Sequence, residues 1–150
     1  MKSRSSKKDL VSIADFSGDE IFSLLKEALA LKKQIPSQSN PKPLSGKTLA
    51  IVLQKPSTRT TVSFSVGMAQ LGGFPLILNS QDLQMKRGES IADTAKTLSL
   101  YVNAIMIRAN KHEDIIELSN HADVPVINGL SDKEHPCQVL GDLLTIYEKL

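Results

Sequence analysis

The sequence predicts an α/β fold, in which a doubly wound, four-stranded parallel sheet carries helices on both faces. Four short apolar runs, rich in Ile and Val and bounded by turn residues, are typical of strands buried on both faces. Segments with helical spacing of apolar residues separate these runs, and this alternation favours right-handed crossovers between parallel strands. The predicted strands are 48–53, 75–78, 104–107 and 124–127.

A helix is predicted before the sheet. Ser17 and Glu20 have the spacing of a capping box, in which each side chain binds a free backbone amide of the first turn. Apolar residues then recur at near-helical spacing up to Leu31, and the pattern stops before Pro36. The stretch 36–47, rich in Pro, Ser and Lys, indicates a loop.

Local signals mark the ends of the later helices. Gly72 follows the second helical pattern as a C-terminal cap, while Ser90 and Asp93 have the spacing of an N-cap and the third helical residue. Pro136 is a favoured first residue of a helix, and it begins the C-terminal one. The predicted helices are 58–71, 90–101, 112–121 and 136–150.

Composition excludes several classes of protein. The 150 residues, 41% of them hydrophobic, suffice for one globular core, and no apolar run approaches the ~20 residues of a membrane span. Cys137 is the only cysteine, which excludes a disulfide framework and multi-cysteine metal sites. The three histidines lack metal-ligand spacing, so we predict no metal. A net charge of +2 and an aromatic content of 4% disfavour nucleic-acid binding.

The N-terminal segment 1–8 carries four basic side chains and no acidic one. We predict a flexible, solvated terminus there, because such short basic runs are usually solvated tails. A nucleic-acid-binding arm or a targeting remnant is the alternative. The folded domain is then predicted to span 9–150.

Polar side chains follow every predicted strand at its carboxyl end. In a parallel sheet these loops meet at one edge, and ligands bind there. Several of these side chains are suited to an anion, so their convergence is the main functional signal in the chain. The candidates are Ser57, Thr58, Arg59 and Thr60 after the first strand, Gln84 after the second, Arg108 at the end of the third, and His135 and Gln138 after the fourth.

The first of these loops opens a helix, whose free amides and positive dipole end favour an anion, above all a phosphate. The Arg59 guanidinium is able to bind two oxygens at once. Alternatively, Ser57 only caps the helix and Arg59 is solvated. Arg108 ends an apolar run and therefore needs a partner, which is either the same anion or a buried carboxylate.

His135 falls at a helix start, where the dipole disfavours the imidazolium cation. A neutral imidazole N–H there is able to donate to a developing oxyanion, although a simple capping role is the alternative. Gln138 follows three residues later on the same face and offers a donor and an acceptor. Cys137 does not face His135 on a helix, so we predict no thiol nucleophile.

These residues, in this order, resemble the aspartate/ornithine carbamoyltransferase family. Segment 57–60 (Ser-Thr-Arg-Thr) is similar to its carbamoyl phosphate signature, and 135–138 (His-Pro-Cys-Gln) to its His-Pro-x-Gln signature. Segment 87–94 resembles its mobile loop and the helix that follows. Segment 128–132 (Asn-Gly-Leu-Ser-Asp) favours the ornithine branch over the aspartate branch. The resemblance covers 9–150.

The resemblance implies carbamoyl transfer from carbamoyl phosphate to ornithine, giving citrulline and phosphate in arginine biosynthesis, without a cofactor. It implies a cytoplasmic homotrimer in which Gln84 reaches the site of a neighbouring subunit, and ornithine bound near the backbone of Leu130. By position, it implies that the phosphate is held by Ser57, Thr58, Arg59, Thr60 and Arg108. It also implies that Arg59, Thr60 and His135 polarise the carbamoyl oxygen. Gln138 is implied to bind the carbamoyl nitrogen.

Two departures from the family pattern qualify what the resemblance implies. Thr61 and Ser65 stand where the family usually has Arg and often has Glu, so an ion pair is replaced as a unit by two hydroxyls. The family's chains are also roughly twice this length, and we expect their amino-acid-binding domain to be absent from this chain. Three interpretations of the chain therefore remain open: the carbamoyl phosphate-binding half of an ornithine-branch enzyme, the same half of an aspartate-branch enzyme, and a non-catalytic phosphate-binding module.

Overall fold

Helices and strands alternate along the chain as predicted. The structure is a computed structural model and describes residues 8–34, 42–79, 81–84 and 88–150. A short 3-10 helix, Ile13–Asp15, comes first. The α-helices are α1 (Gly18–Gln34), α2 (Thr58–Gln70), α3 (Ile91–Ser99), α4 (His112–His121) and α5 (Pro136–Lys149). The strands are β1 (Thr48–Leu53), β2 (Phe74–Asn79), β3 (Ala104–Arg108) and β4 (Val126–Leu130).

The four strands form one parallel sheet in the order β2-β1-β3-β4. Side chains alternate along β1, so Ala50 and Val52 enter one hydrophobic cluster and Leu49 and Ile51 enter another on the opposite face. The first cluster includes side chains of α3 and α4, and the second includes Met68 of α2. The predicted doubly wound fold, with helices on both faces, is confirmed.

The predicted helix starts are confirmed by their cap contacts. The Ser17 backbone N–H donates to Glu20 Oε2 at 2.9 Å, and the Glu20 N–H donates to Ser17 Oγ at 3.3 Å. Ser90 Oγ accepts from the Asp93 N–H at 3.0 Å and so caps α3. Two helices end slightly earlier than predicted, since α2 ends at Gln70 instead of 71 and α3 ends at Ser99 instead of 101. Of the predicted loop 36–47, residues 36–41 lie outside the described part of the chain.

The prediction that every strand is buried on both faces is wrong for β2. This strand runs over Phe74–Asn79, longer than the predicted 75–78, and lies at the edge of the sheet beside β1 alone. Phe74 is 62% exposed and Ile77 is 42% exposed. An apolar run alone does not distinguish a central strand from an edge strand, because both require the same side-chain types on the covered face.

Strand β4 also differs from the prediction, since it spans Val126–Leu130 instead of 124–127. Its register against β3 shifts, so that Leu130 lies opposite Arg108 and Gly129 is the additional residue. A Cβ atom at Gly129 would collide with the Met106 side chain, so glycine permits this close approach. The irregularity brings the end of β4 level with the end of β3, beside the predicted ligand edge.

The N-terminal segment runs beside the free edge of β4. The Leu10 N–H donates to Val126 O at 2.8 Å, and the Asn128 N–H donates to Leu10 O at 2.8 Å. Of the basic segment 1–8, residues 1–7 lie outside the described part, and Lys8 forms an ion pair with Glu20. No helix within the described ranges combines the length and apolarity needed to cross a membrane.

Candidate functional site

A cleft of about 370 Å³ lies at the carboxyl edge of the sheet. The start of α2, the ends of β3 and β4, and the first turn of α5 surround it. It brings together most of the residues predicted from the sequence. Those lining it are Ser57, Arg59, Thr60, Arg108, Leu130, His135 and Gln138, with Ser63, Phe64 and Cys137 beside them.

A larger cleft of about 730 Å³ lies between α2 and the sheet. Its lining is mainly apolar and includes Leu44, Leu49, Met68 and Ile127. None of the predicted site residues lines it. Because an apolar lining offers few groups to stabilise a charged ligand, the smaller polar cleft is the candidate site.

Ser57 caps α2 and also organises the anion-facing loop. Its Oγ accepts from the Thr60 N–H at 3.3 Å and lies 2.9 Å from Thr60 Oγ1. Thr60 is buried, whereas Thr58 and Arg59 are exposed. The first-turn amides of a helix have no partner within the helix, so this end of α2 is able to bind an anion. The capping role and the anion-binding role of Ser57 are therefore compatible.

Arg108 is held by hydroxyls instead of a carboxylate. Its Nη1 donates to Ser57 Oγ at 3.0 Å and lies 3.4 Å from Thr60 Oγ1. Its Nε is buried and has no hydrogen-bond partner among the described residues. No ion pair of Arg108 occurs within the described ranges, so the buried salt bridge considered as the alternative is absent there. The guanidinium therefore retains donors for an anion in the cleft.

His135 is the N-cap of α5, and its ring lies beside Arg108. Its Nδ1 accepts from the Gln138 N–H at 3.3 Å, which leaves Nε2 to carry the proton of the neutral ring. Burial holds the pKa of His135 below its ordinary value; the charge of Arg108 lowers it further, while Asp142 acts in the opposite direction. The ring is therefore a neutral N–H donor as well as a helix cap.

The loop before His135 is fixed by contacts with two other parts of the chain. Ser131 Oγ lies 3.0 Å from Nδ1 of the buried His112 at the start of α4. Glu134 Oε2 accepts from Ser12 Oγ at 3.0 Å, in the N-terminal segment. These contacts restrain the residues on which the orientation of His135 depends.

Two predicted site residues do not line the cleft. Thr58 is exposed on the first turn of α2, and Gln84 is exposed after β2. Of the segment 87–94 that resembles the family's mobile loop, Arg87 lies outside the described residues. Sequence reasoning missed Phe64, which lines the cleft four residues after Thr60, although the helical i, i+4 spacing would have indicated it.

The two hydroxyls at the departures from the family pattern behave differently from one another. Thr61 Oγ1 donates to the Ser57 carbonyl oxygen at 2.6 Å, one turn earlier in α2. Ser65 Oγ is buried and has no hydrogen-bond partner among the described residues. The hydroxyls therefore leave no unpaired charge, but they do not replace an ion pair with a hydrogen bond to each other.

Comparison with known proteins identifies the family of this chain. Residues 8–148 match the family model described as aspartate/ornithine carbamoyltransferase, carbamoyl-P binding domain. The chain belongs to the aspartate/ornithine carbamoyltransferase family. Within this carbamoyltransferase family it corresponds to the carbamoyl-P binding domain, as the resemblance of its motifs predicts.

Similar carbamoyltransferases come from bacteria and archaea. The ornithine carbamoyltransferase of Anoxybacillus flavithermus is 59% identical over 141 residues, which are 94% of this chain and 45% of that protein. The ornithine carbamoyltransferase structure from Pyrococcus furiosus superposes with a TM-score of 0.91 at 52% identity, covering 99% of this chain and 47% of that one. The chain thus spans about half the length of the relatives it matches.

A structure named for the aspartate branch is less similar in sequence than these two ornithine carbamoyltransferases. The aspartate transcarbamoylase structure from Trypanosoma cruzi, in complex with aspartate and phosphate, has a TM-score of 0.87 but 30% identity. It covers 95% of this chain, and the chain covers 44% of it. The greater similarity to the ornithine branch agrees with the interpretation of segment 128–132.

Proposed function

We propose that this chain binds carbamoyl phosphate in the polar cleft and supplies the carbamoyl phosphate half of an ornithine carbamoyltransferase site. The observation that carries the proposal is the convergence of Arg59, Arg108 and His135 on one small cleft at a helix start. Among the described residues, the Arg108 guanidinium contacts only hydroxyls, and an anion would complete its hydrogen bonding. The names of the similar proteins support the same substrate class.

The proposed roles follow the positions of the donors. Arg108 and the first turn of α2 hold the phosphate, with the N-terminal amides and hydroxyls supplying neutral donors. His135 donates through Nε2 to the carbamoyl oxygen, together with Arg59 and Thr60. Gln138 binds the carbamoyl nitrogen, and the backbone of Leu130 contacts ornithine. The proposed phosphate ligands are Ser57, Thr58, Arg59, Thr60 and Arg108.

These roles give a simple acyl-transfer mechanism. The neutral side-chain amine of ornithine attacks the carbamoyl carbon, forming a C–N bond while the carbamoyl C=O oxygen gains negative charge. The donors on α2 and α5 stabilise that charge without reorganising. The bond from carbon to the phosphate oxygen then breaks, the amine nitrogen loses its proton, and citrulline and phosphate result. Fixing both reactants in one cleft supplies the entropic part of the acceleration.

The assembly and location of the protein are part of the same proposal. We propose a cytoplasmic homotrimer in which Gln84 enters the site of a neighbouring subunit. Its exposed position outside the cleft of its own chain supports this role. Mixing inactive Gln84→Ala and Arg59→Ala subunits should restore part of the activity if the site is shared, and sedimentation should give the mass of a trimer. The absence of both results would refute the shared site.

Calorimetric titration of the chain with carbamoyl phosphate tests the proposed binding. We expect saturable binding that Arg59→Ala weakens at least tenfold, since one charge-assisted hydrogen bond contributes about 1.5–3 kcal/mol. Lys96→Ala is the matched control, because it removes an exposed cation of α3 that does not line the cleft. Absence of binding by the unmodified chain would refute the proposal.

Turnover distinguishes the proposed enzyme from its alternatives. The chain is supplied in separate assays with the amino-acid-binding half of an ornithine carbamoyltransferase and with that of an aspartate carbamoyltransferase, each with carbamoyl phosphate and the matching amino acid. Citrulline production that depends on Arg59 supports the proposal, whereas carbamoylation of aspartate alone would assign the chain to the aspartate branch. Binding without turnover would support a non-catalytic module. Deleting residues 1–8 should change neither carbamoyl phosphate binding nor turnover.

A further inference from the structure

The side-chain amide of Gln138 has one defined orientation. Gln138 lines the cleft, and its Nε2 donates to Asp142 Oδ1 at 2.8 Å, one turn further along α5. A carboxylate accepts hydrogen bonds but does not donate them, so the atom facing Asp142 is the NH₂ group. The carbonyl oxygen Oε1 has no hydrogen-bond partner among the described residues and is left for the cleft.

The start of α5 therefore offers a donor and an acceptor side by side. His135 accepts the Gln138 N–H through Nδ1, so Nε2 is the atom with a proton to donate. Gln138 presents Oε1 as an acceptor. A carbamoyl group carries the complementary pair, a carbonyl oxygen and an NH₂ group. An acetyl group has the same carbonyl oxygen but a methyl group in place of the amine, and it gives Oε1 no proton.

We propose that Asp142 is a positioning residue that makes the cleft select carbamoyl phosphate over acyl phosphates without an amine, such as acetyl phosphate. This inference rests on the proposed function, because Gln138 must face the carbamoyl nitrogen. Without Asp142, the amide is free to turn its NH₂ group into the cleft. Two NH₂ groups then face each other, and the cleft loses its preference for the carbamoyl ligand.

The position of Asp142 within α5 favours this role. It lies in the interior of a helix that spans Pro136–Lys149, away from the N-terminal turn where the helix dipole stabilises a carboxylate. Asp is also a weaker helix former than Ala at such positions. A surface pair of Gln and Asp four residues apart adds little to helix stability. Helix stability therefore does not account for a carboxylate at this position, whereas orientation of the Gln138 amide does.

The size of the effect follows from the fraction of Gln138 in the binding orientation. An exposed hydrogen bond between Gln and Asp four residues apart on a helix is weak, so its loss lowers that fraction by about 1.4- to 2.3-fold. The apparent dissociation constant for carbamoyl phosphate rises by the same factor. Asp142→Ala should therefore reduce the preference for carbamoyl over acetyl phosphate by about 1.4- to 2.3-fold. The affinity for inorganic phosphate, which has no amide group, should stay unchanged.

The test is calorimetric titration of the full chain with carbamoyl phosphate, acetyl phosphate and inorganic phosphate. Asp142→Ala is compared with Asp142→Asn, which keeps an acceptor oxygen and should retain more of the preference. Glu148→Ala is the matched control, because it removes an α5 carboxylate that contacts Lys32 instead of the cleft. The ratio of the dissociation constants for carbamoyl phosphate and acetyl phosphate is compared between variants, because a general loss of folded protein affects both constants equally.

The outcomes separate this inference from the proposed function. Failure of the unmodified chain to bind carbamoyl phosphate would overturn both. Binding without preference over acetyl phosphate would overturn the selectivity alone. An unchanged preference in Asp142→Ala, or an equal loss of affinity for all three ligands, would show that Asp142 acts only on the helix. If Asp142→Ala does not fold, Asp142→Ser supplies the same comparison, because its shorter side chain does not reach Gln138.

Discussion

Replacing Arg108 with Met should abolish anion binding while leaving the fold nearly as stable. The guanidinium ends a buried strand, its Nη1 contacts the hydroxyls of Ser57 and Thr60, and its buried Nε has no partner among the described residues. An unpartnered buried donor is costly in the free protein, and the proposed anion would satisfy it. Met keeps the length of the side chain without its charge.

The magnitudes follow from these contacts. Losing two hydrogen bonds to hydroxyls costs about 1 kcal/mol each, and removing a buried donor without a partner returns about 1–3 kcal/mol. The free energy of unfolding should therefore change by about 1 kcal/mol or less. Losing two charge-assisted bonds to a phosphate costs about 3–6 kcal/mol, so the dissociation constant should rise roughly 10²- to 10⁴-fold.

Urea unfolding with and without ligand measures both quantities in one experiment. At a ligand concentration of 100 times the dissociation constant, the unmodified chain should gain about 2.7 kcal/mol, and Arg108→Met should gain almost nothing. Lys96→Met is the control for loss of a cation elsewhere. A variant that loses more than about 3 kcal/mol of stability but binds phosphate normally would refute this reasoning, because Arg108 would then be a structural residue.

Three further predictions concern two partly buried residues and one fully buried residue. The pKa of His135 lies below its ordinary 6.5, so the unfolded chain binds that proton more readily and the free energy of unfolding falls as the pH drops below about 6.5. His135→Asn should make this fall in urea melts shallower, and an identical fall would contradict the assignment. Burial raises the pKa of Cys137 to about 11, so iodoacetamide at pH 8 should react roughly 100-fold more slowly than with the unfolded chain. Equal rates would contradict this protection. Ile105→Ala should cost about 2–5 kcal/mol in urea unfolding and leave phosphate affinity unchanged, whereas a cost below 1 kcal/mol would contradict full burial.

The parts of the fold that the sequence predicts well are those with local causes. The caps at Ser17 and Ser90 depend on residues three positions apart, so the helix starts are visible in the sequence. The extent of β4 depends on its register with β3 and on the close approach of Gly129 to Met106. Both are contacts between residues that are distant in sequence, so local sequence signals do not predict them. The exposure of β2 likewise depends on its place at the sheet edge.

The same distinction applies to the site. The motifs predict which side chains meet, because the carboxyl ends of parallel strands converge whatever their sequence. They do not predict that Arg108 has no carboxylate partner among the described residues, because any acidic residue in the chain was a candidate. They also leave out Asp142, although its i, i+4 spacing from Gln138 was visible, since such pairs are common on helix surfaces.

The proposed function separates two kinds of recognition in one cleft. Charge recognition would lie at the start of α2 and the end of β3, where Arg108 contacts the Ser57 hydroxyl and the helix amides are placed to bind a phosphate. Shape and hydrogen-bond recognition lies on α5, where His135 and Gln138 are fixed by each other and by Asp142. Because the two sets of groups sit on different elements and share no hydrogen bond among the described residues, a loss of charge should weaken every phosphate ligand alike. A loss of the Gln138 orientation should affect only the ligand that carries an amide group.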